Sequence, residues 1–193
     1  MRKAELERVT KETNIKIALS LDGSGHSVIT TGIPFFDHML TAFSKHSGFD
    51  LELKAVGDIE VDYHHTIEDC GIALGTVFLE ALGDKIGIER FASARVPLDE
   101  AMTEVVVDIS GRPFLHFDLI FKRPDDGNGV NPYLFEEFYR AFVNSARLTM
   151  HVDYIRGDNS HHIIESSFKA FAKALKKAAT ISGRSLPSTK GVL

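Results

Sequence analysis

The sequence predicts an α+β fold of two tandem β-β-α-β-α repeats. Three observations predict it: a motif that occurs twice half a chain apart, strand and helix periodicities that recur in one order, and a composition able to bury a core. The motif is His64-His65-Thr66-Ile67-Glu68, which returns as His161-His162-Ile163-Ile164-Glu165 in a chain of 193 residues. Gly57-Asp58 and Gly157-Asp158 precede the two copies in the same style, and Thr41-Ala42-Phe43 matches Arg140-Ala141-Phe142 further upstream. Self-similarity on this scale marks homologous halves, read as 1–93 and 94–193, together one compact catalytic unit.

The elements follow from local periodicity. Asn14 to Leu21 alternates polar with apolar and runs into Asp22-Gly23-Ser24-Gly25, the pattern of a strand entering a hairpin. Phe35 to His46 shows helical spacing, Phe49 to Val56 alternates again, and Thr66 to Leu82 forms a second helix that opens at the first motif. In the second half, Glu104 to Ile109 and Phe114 to Phe121 flank Ser110-Gly111-Arg112-Pro113 in the manner of a hairpin. A helix over Tyr133 to Arg147, a strand over Leu148 to Ile155 and a helix over Ile163 to Ala179 complete the repeat. In the last helix Phe168, Phe171, Ala172 and Leu175 make an apolar stripe. Such stripes are buried by packing helices on the faces of mixed sheets.

Composition narrows the function classes. With 44% hydrophobic and 25% charged residues the chain can bury a core and is not disordered. There is no apolar run of 18 or more residues, and Met1 to Arg8 carries charges where a signal peptide needs an apolar stretch, so a cytoplasmic protein without a membrane segment is expected. The lone Cys70 excludes an intrachain disulfide and a cysteine-rich zinc site. Nine histidines leave histidine and carboxylate as the available metal donors. A formal charge of −5 counts against nucleic acid as a partner.

The repeated motif has the spacing of metal ligands. Residues four apart share a helix face, so His64 with Glu68 and His161 with Glu165 each make a half-site. His65 and His162 point about 100° away from their neighbours and serve a different ion or another subunit. The simplest arrangement uses two ions, one on His64, Glu68 and His162, the other on His161, Glu165 and His65, with His38 and His151 as further ligands. Imidazole and carboxylate without thiolate suit manganese, iron or zinc. One His-His pair near a glutamate is commonly a solvated helix start, but two copies in register with a repeat are not.

Further blocks carry a family resemblance: Arg8-Val9-Thr10-Lys11-Glu12-Thr13, Phe36-Asp37-His38-Met39-Leu40, Leu98-Asp99-Glu100-Ala101, Ser110-Gly111-Arg112-Pro113 and Pro187-Ser188-Thr189-Lys190-Gly191. With the two histidine motifs, and in this order, the chain resembles the imidazoleglycerol-phosphate dehydratases. Gly129 to Leu134 and Tyr63 depart from that family's pattern. The resemblance implies two Mn²⁺ per active site, other divalent transition metals being compatible with the same donors. It assigns His38, His65, His161 and Glu165 to one ion and His64, Glu68, His151 and His162 to the other. It also implies a fold similar to the ribosomal protein S5 domain 2 and a homo-oligomeric shell of 24 subunits with metal sites at subunit interfaces.

The reaction implied is loss of water from D-erythro-1-(imidazol-4-yl)glycerol 3-phosphate, a phosphorylated imidazole, to give 3-(imidazol-4-yl)-2-oxopropyl phosphate in histidine biosynthesis. No carbonyl acidifies the hydrogen that leaves. A metal-bound imidazolate ring offers the alternative driving force, and two ions bridged by that ring would stand about 6 Å apart, given metal–nitrogen bonds of roughly 2.1 Å. By the same resemblance Glu12 is the proton-transfer carboxylate, with His46, Asp99 and Glu100 as weaker catalytic candidates. Glu12, His38 and His46 contact the substrate, and Arg90, Arg112, Ser188, Thr189 and Lys190 hold its phosphate. Two readings from other classes compete: a di-metal hydrolase, which wants closer ions, and an S5-like nucleic-acid-binding module with structural metal, which wants a basic surface.

Overall fold

Alternation in the strands sets which face of each sheet is buried. In the computed structural model, which describes residues 1–122 and 129–193, the first half comprises β1 (Lys3–Val9), β2 (Thr13–Ser20), β3 (Ser27–Thr30), α1 (Pro34–Ser47), β4 (Asp50–Gly57) and α2 (His64–Leu82). The second comprises β5 (Phe91–Leu98), β6 (Ala101–Asp108), β7 (Phe114–Asp118), α3 (Leu134–Ala146), β8 (Thr149–Arg156) and α4 (Ser160–Ala178). In β2, Ile15, Ile17 and Leu19 point inward and are at most 3% exposed, and Leu51 and Leu53 of β4 line the same face. Val105, Val107, Met150 and Val152 do this in β6 and β8.

The two sheets have one topology, β1-β2-β4-β3 and β5-β6-β8-β7. Both are mixed, with β3 parallel to β4 and β7 parallel to β8 while the other neighbours are antiparallel. The duplicated α+β architecture is therefore present, with two corrections. Each repeat has one strand more than expected, β1 and β5, and the two strands expected to form each hairpin do not pair with one another. β3 lies beyond β4 and β7 beyond β8, as parallel partners joined through a crossover helix, α1 or α3. The true hairpins are β1-β2 and β5-β6, whose turns hold Glu12 and Asp99-Glu100.

The helices cover one face of each sheet, α2 on β1 and β2, α4 on β5 and β6, and then meet across the halves as α1 with α4 and α2 with α3. The result is four layers, sheet, helices, helices, sheet, with the largest side chains between the helix layers. Phe43 stacks on Phe171 at 4.9 Å, Phe138 on Phe168 at 5.3 Å, and Phe78 meets Phe142 at 5.7 Å, measured between ring centroids. Edge and offset contacts of this kind add about 0.5–1.5 kcal/mol each to the burial itself.

Helix α2 approaches α3 closely because it carries glycine at two positions on one face. A Cβ at residue 71 would lie 2.5 Å from the Phe138 carbonyl oxygen, and one at residue 75 would lie 2.5 Å from that of Phe142 and 2.8 Å from Ser145 Cβ. Alanine is the better helix former by about 1 kcal/mol, yet overpacking of this kind costs typically 1–3 kcal/mol and the obstacle here is backbone. Gly75→Ala is expected to lower the midpoint of thermal unfolding by several degrees, followed by circular dichroism. An unchanged or raised midpoint contradicts the close approach.

Candidate active site

Capping fixes the register of the second motif. Asn159 caps α4, its side-chain oxygen accepting from the His162 backbone N–H at 3.1 Å. This sets His161 in the first turn and Glu165 one turn later on the same face. Helix α1 starts with Pro34, whose fixed φ suits the first helical position. Asp37 then accepts from Thr31 N–H at 2.9 Å and Thr31 Oγ1 at 2.6 Å, which anchors the turn that carries His38.

The α1–α4 contact brings three of the eight expected ligands together. Glu165 Oε2 lies 3.1 Å from His161 Nε2 and 3.3 Å from His38 Nε2, and the three donor atoms lie within 4.8 Å of one another. Among the described residues this is the group that could hold a metal ion, and its nitrogen and oxygen donors fit a divalent transition ion. Lys169 closes the inner side, with Nζ 2.7 Å from Glu165 Oε1. Burial pushes the Glu165 carboxyl up, but Lys169 and His38 outweigh it and hold the group ionised, below its ordinary range. His46 stands in the last turn of α1, and burial, reinforced by the charges of Lys169 and Lys173, pushes its pKa down. His46 thus feels the same Lys169 and Glu165 charges as the cluster.

The other five ligands have different neighbours in the chain. His64 Nε2 is 3.8 Å from Glu68 Oε2 across one turn of α2. His65 Nδ1 is 3.0 Å from Asp58 Oδ2, a hydrogen bond that raises its pKa above the usual histidine range. His162 Nδ1 is 2.8 Å from Glu100 Oε2. Strand alternation turns His151 away from the helices, because its neighbours Met150 and Val152 point into the core at 0% exposure. On that outer face it lies beside His116, ring centroids 5.4 Å apart, and beside Phe114.

Glu12 projects from the β1-β2 turn, and the turn is tied to α2. Asp69, 7% exposed, accepts from Arg8 Nη1 and from Thr13 Oγ1, both at 2.5 Å. Thr10 Oγ1 accepts from the backbone N–H of Glu12 at 3.1 Å and of Thr13 at 2.9 Å. The Glu12 carboxylate itself, 55% exposed, stands 3.9 Å from His65 Nδ1. In the matching turn, Asp99 adopts a positive φ of 47° and is 77% exposed. Glu100 is held down to about 2 by His162 and then by the Asn159 N–H.

The expected phosphate residues gather around the C-terminal tail. Arg90, in a left-handed conformation, binds Asp108 through Nε at 2.7 Å and donates from Nη1 to the Pro187 carbonyl at 2.8 Å. Arg112 and Lys190 line one cavity of about 500 Å³ together with Lys85 and Arg147. Ser188 Oγ donates to the Val192 carbonyl at 2.9 Å and accepts from the Lys190 N–H, with Thr189 exposed between them. Truncation after Leu186 should remove these contacts and raise the Michaelis constant about tenfold or more, since a hydrogen bond to a charged group contributes roughly 1.5–3 kcal/mol. An unchanged constant excludes the tail from substrate binding.

Sequence reasoning missed Asp58, Lys169, Lys85 and His116 as neighbours of these groups. Lys169 was the most accessible, four residues beyond Glu165 on one helix face. Asp58 carried a signal in the repeated Gly-Asp pair, read only as punctuation before each motif.

Two like halves, each opening a helix on His-His-x-x-Glu and each presenting a hairpin carboxylate to the second histidine, define a class of duplicated α+β proteins with histidine–carboxylate sites. Within that class the chain belongs to the imidazoleglycerol-phosphate dehydratase family, whose model matches residues 31–175. It is 57% identical over 195 residues to the imidazoleglycerol-phosphate dehydratase of Gluconobacter oxydans, covering 100% of this chain and 98% of the relative. To the enzyme of that name from Thermoanaerobacter pseudethanolicus it is 54% identical with 100% of both chains covered. The crystal structure of imidazoleglycerol-phosphate dehydratase from Staphylococcus aureus superposes with a TM-score of 0.84 at 43% identity, covering 93% of this chain and 99% of that one. No helix among the described residues is long and apolar enough to cross a membrane.

Proposed function

We propose that the chain is a hydro-lyase that converts D-erythro-1-(imidazol-4-yl)glycerol 3-phosphate to 3-(imidazol-4-yl)-2-oxopropyl phosphate and water. The observation that carries this reading is full-length membership of the dehydratase family, joined to a carboxylate–imidazole cluster built on the repeated motif. The same match favours a dehydratase over the hydrolase and nucleic-acid readings.

In this reading His38, His161 and Glu165 hold one divalent ion, with His65 as its fourth ligand, and His64, Glu68, His151 and His162 hold a second. Manganese is the metal to test first. Held there, such ions would supply Lewis acidity toward the substrate's imidazole. Arg90, Arg112, Ser188, Thr189 and Lys190 take the phosphate, arginine through bidentate hydrogen bonds. Glu12 takes the proton from the carbinol carbon next to the one that loses hydroxide, and an enol results. Glu12 then returns that proton to the carbon beside the ring while the enol hydroxyl gives up its own, which joins the departed hydroxide as water, and the ketone forms. One group serves both transfers because each leaves it ready for the next.

The dispersal of the ligands supports assembly. His151 faces away from the two helix layers that carry the other seven, with a sheet between them. Ligand sets that include it are completed by a second chain, in keeping with a 24-subunit shell whose metal sites lie at subunit contacts, in the cytoplasm. The test is dehydration of imidazoleglycerol phosphate before chelation, after it, and after manganese is returned, with light scattering alongside. Activity and assembly should fall together and recover together. Turnover that survives complete removal of metal, or no turnover in the metal-loaded protein, overturns the reading.

A further inference from the structure

The two hairpin turns hold equivalent places in the duplicated halves, yet they use their carboxylates differently. The cross-strand set Leu6, Ile17 and Leu53 in the first sheet corresponds to Ala94, Val105 and Val152 in the second. Counting along β2 and β6 from these positions sets Glu12 against Glu100. Beside each turn stands the second histidine of the motif, His65 or His162, and each has a carboxylate at Nδ1.

In the second half that carboxylate is the hairpin's own. Glu100 Oε2 lies 2.8 Å from His162 Nδ1, while Oε1 accepts from the Asn159 N–H at 3.0 Å and the Asp158 N–H at 3.3 Å. Both of its oxygens are committed, one to α4 and the other to the two residues that precede it. In the first half the partner is Asp58, with Oδ2 at 3.0 Å and Oδ1 at 3.2 Å from His65 Nδ1. The Glu12 carboxylate stands off at 3.9 Å from the same nitrogen, and it is the Glu12 backbone carbonyl that accepts from the Asp58 N–H, at 3.1 Å.

We propose that Asp58 and Glu100 are positioning residues that orient His65 and His162 for metal, and that Asp58, by taking this task in the first half, leaves Glu12 free to carry protons. A carboxylate at Nδ1 requires the ring hydrogen there, so the lone pair sits on Nε2, where an ion can use it. Glu100 is thereby removed from the proton carriers, although its place in the repeat is that of Glu12. The inference rests on the reading above in one respect, that these imidazoles bind metal.

The test is manganese binding to the purified full-length protein without substrate, followed by the electron paramagnetic resonance of the free ion. Asp58→Ala and Glu100→Ala should each weaken affinity about 10–100-fold, as loss of such partners does elsewhere. Asp58→Asn and Glu100→Gln keep an acceptor for the Nδ1 hydrogen and should recover most of that loss. Glu12→Gln should bind manganese as the unaltered protein does. Unchanged affinity in either folded alanine variant overturns the proposal, and so do amide variants as damaged as the alanine ones. No substrate is present, so an error about the dehydration would leave these isotherms untouched. An unaltered protein that takes up no manganese sinks the metal reading and the proposal with it.

Discussion

Glu12→Gln is expected to lower turnover by about 10²–10⁴-fold, the range that a positioned acid–base group commonly supplies, while metal content and substrate affinity remain those of the unaltered protein. The side chain is more than half exposed, so the amide costs little in stability. Its turn is fixed independently, through Thr10, Thr13, Arg8 and Asp69, and none of those bonds involves the Glu12 carboxylate. Substitution therefore changes one property, the capacity to accept and return a proton. Steady-state kinetics with a direct measurement of substrate binding would separate the effects. Near-normal turnover removes Glu12 from the mechanism, and a rise in the dissociation constant with unchanged turnover would make it a binding residue instead.

Glu165→Gln is expected to be more severe, since it should remove an ion as well as activity. Glu165 is the hub of its cluster, with His38 and His161 on one oxygen and Lys169 on the other, at 13% side-chain exposure. Neutralising it leaves the Lys169 ammonium, 17% exposed, without its carboxylate, facing two imidazoles. A cation brought to that place would meet repulsion where it now meets attraction. Metal analysis after gel filtration should show about one ion per chain fewer than the unaltered protein takes up, with turnover reduced at least about 10³-fold, as expected when a metal ligand and its charge are lost together. Full metal content in the variant would show that the ion sits elsewhere.

Much of this architecture was legible because the signals were local. Helix boundaries fell within a few residues of those expected, and the spacing of His161 and Glu165 sufficed to place both on one face of α4. The strands β1 and β5 were not legible, for a physical reason. Each is an edge strand with one face in solvent; Lys3, Glu5 and Glu7 make β1 read as a charged lead-in, and Pro97 argues against a strand at β5. Pairing was illegible too, because β3 lies beside β4 only after α1 has crossed between them, and nothing in either segment records that. In the site, His38 reached Glu165 through tertiary packing alone, so periodicity could name it only as a further ligand. On the sequence alone Glu12 reads as a surface strand residue, and nothing marks Asp99-Glu100 as a turn. Their roles became distinguishable once strand register showed which carboxylate faced which histidine and which was already occupied.

The packing of α1 on α4 and of α2 on α3 bears on how such a chain arose. Every helix pair that closes the core joins one half to the other, so a half-length polypeptide would expose Phe43 and Phe78, or Phe138 and Phe171, to water. A single repeat would cover those faces by pairing with a second copy, to a degree governed by concentration. Fusion of two copies made that association intramolecular, at the high effective concentration a short connector provides. It also released the copies from having to be identical. Copies so joined can differ, and here one hairpin carboxylate bonds its histidine while the other stands off from it.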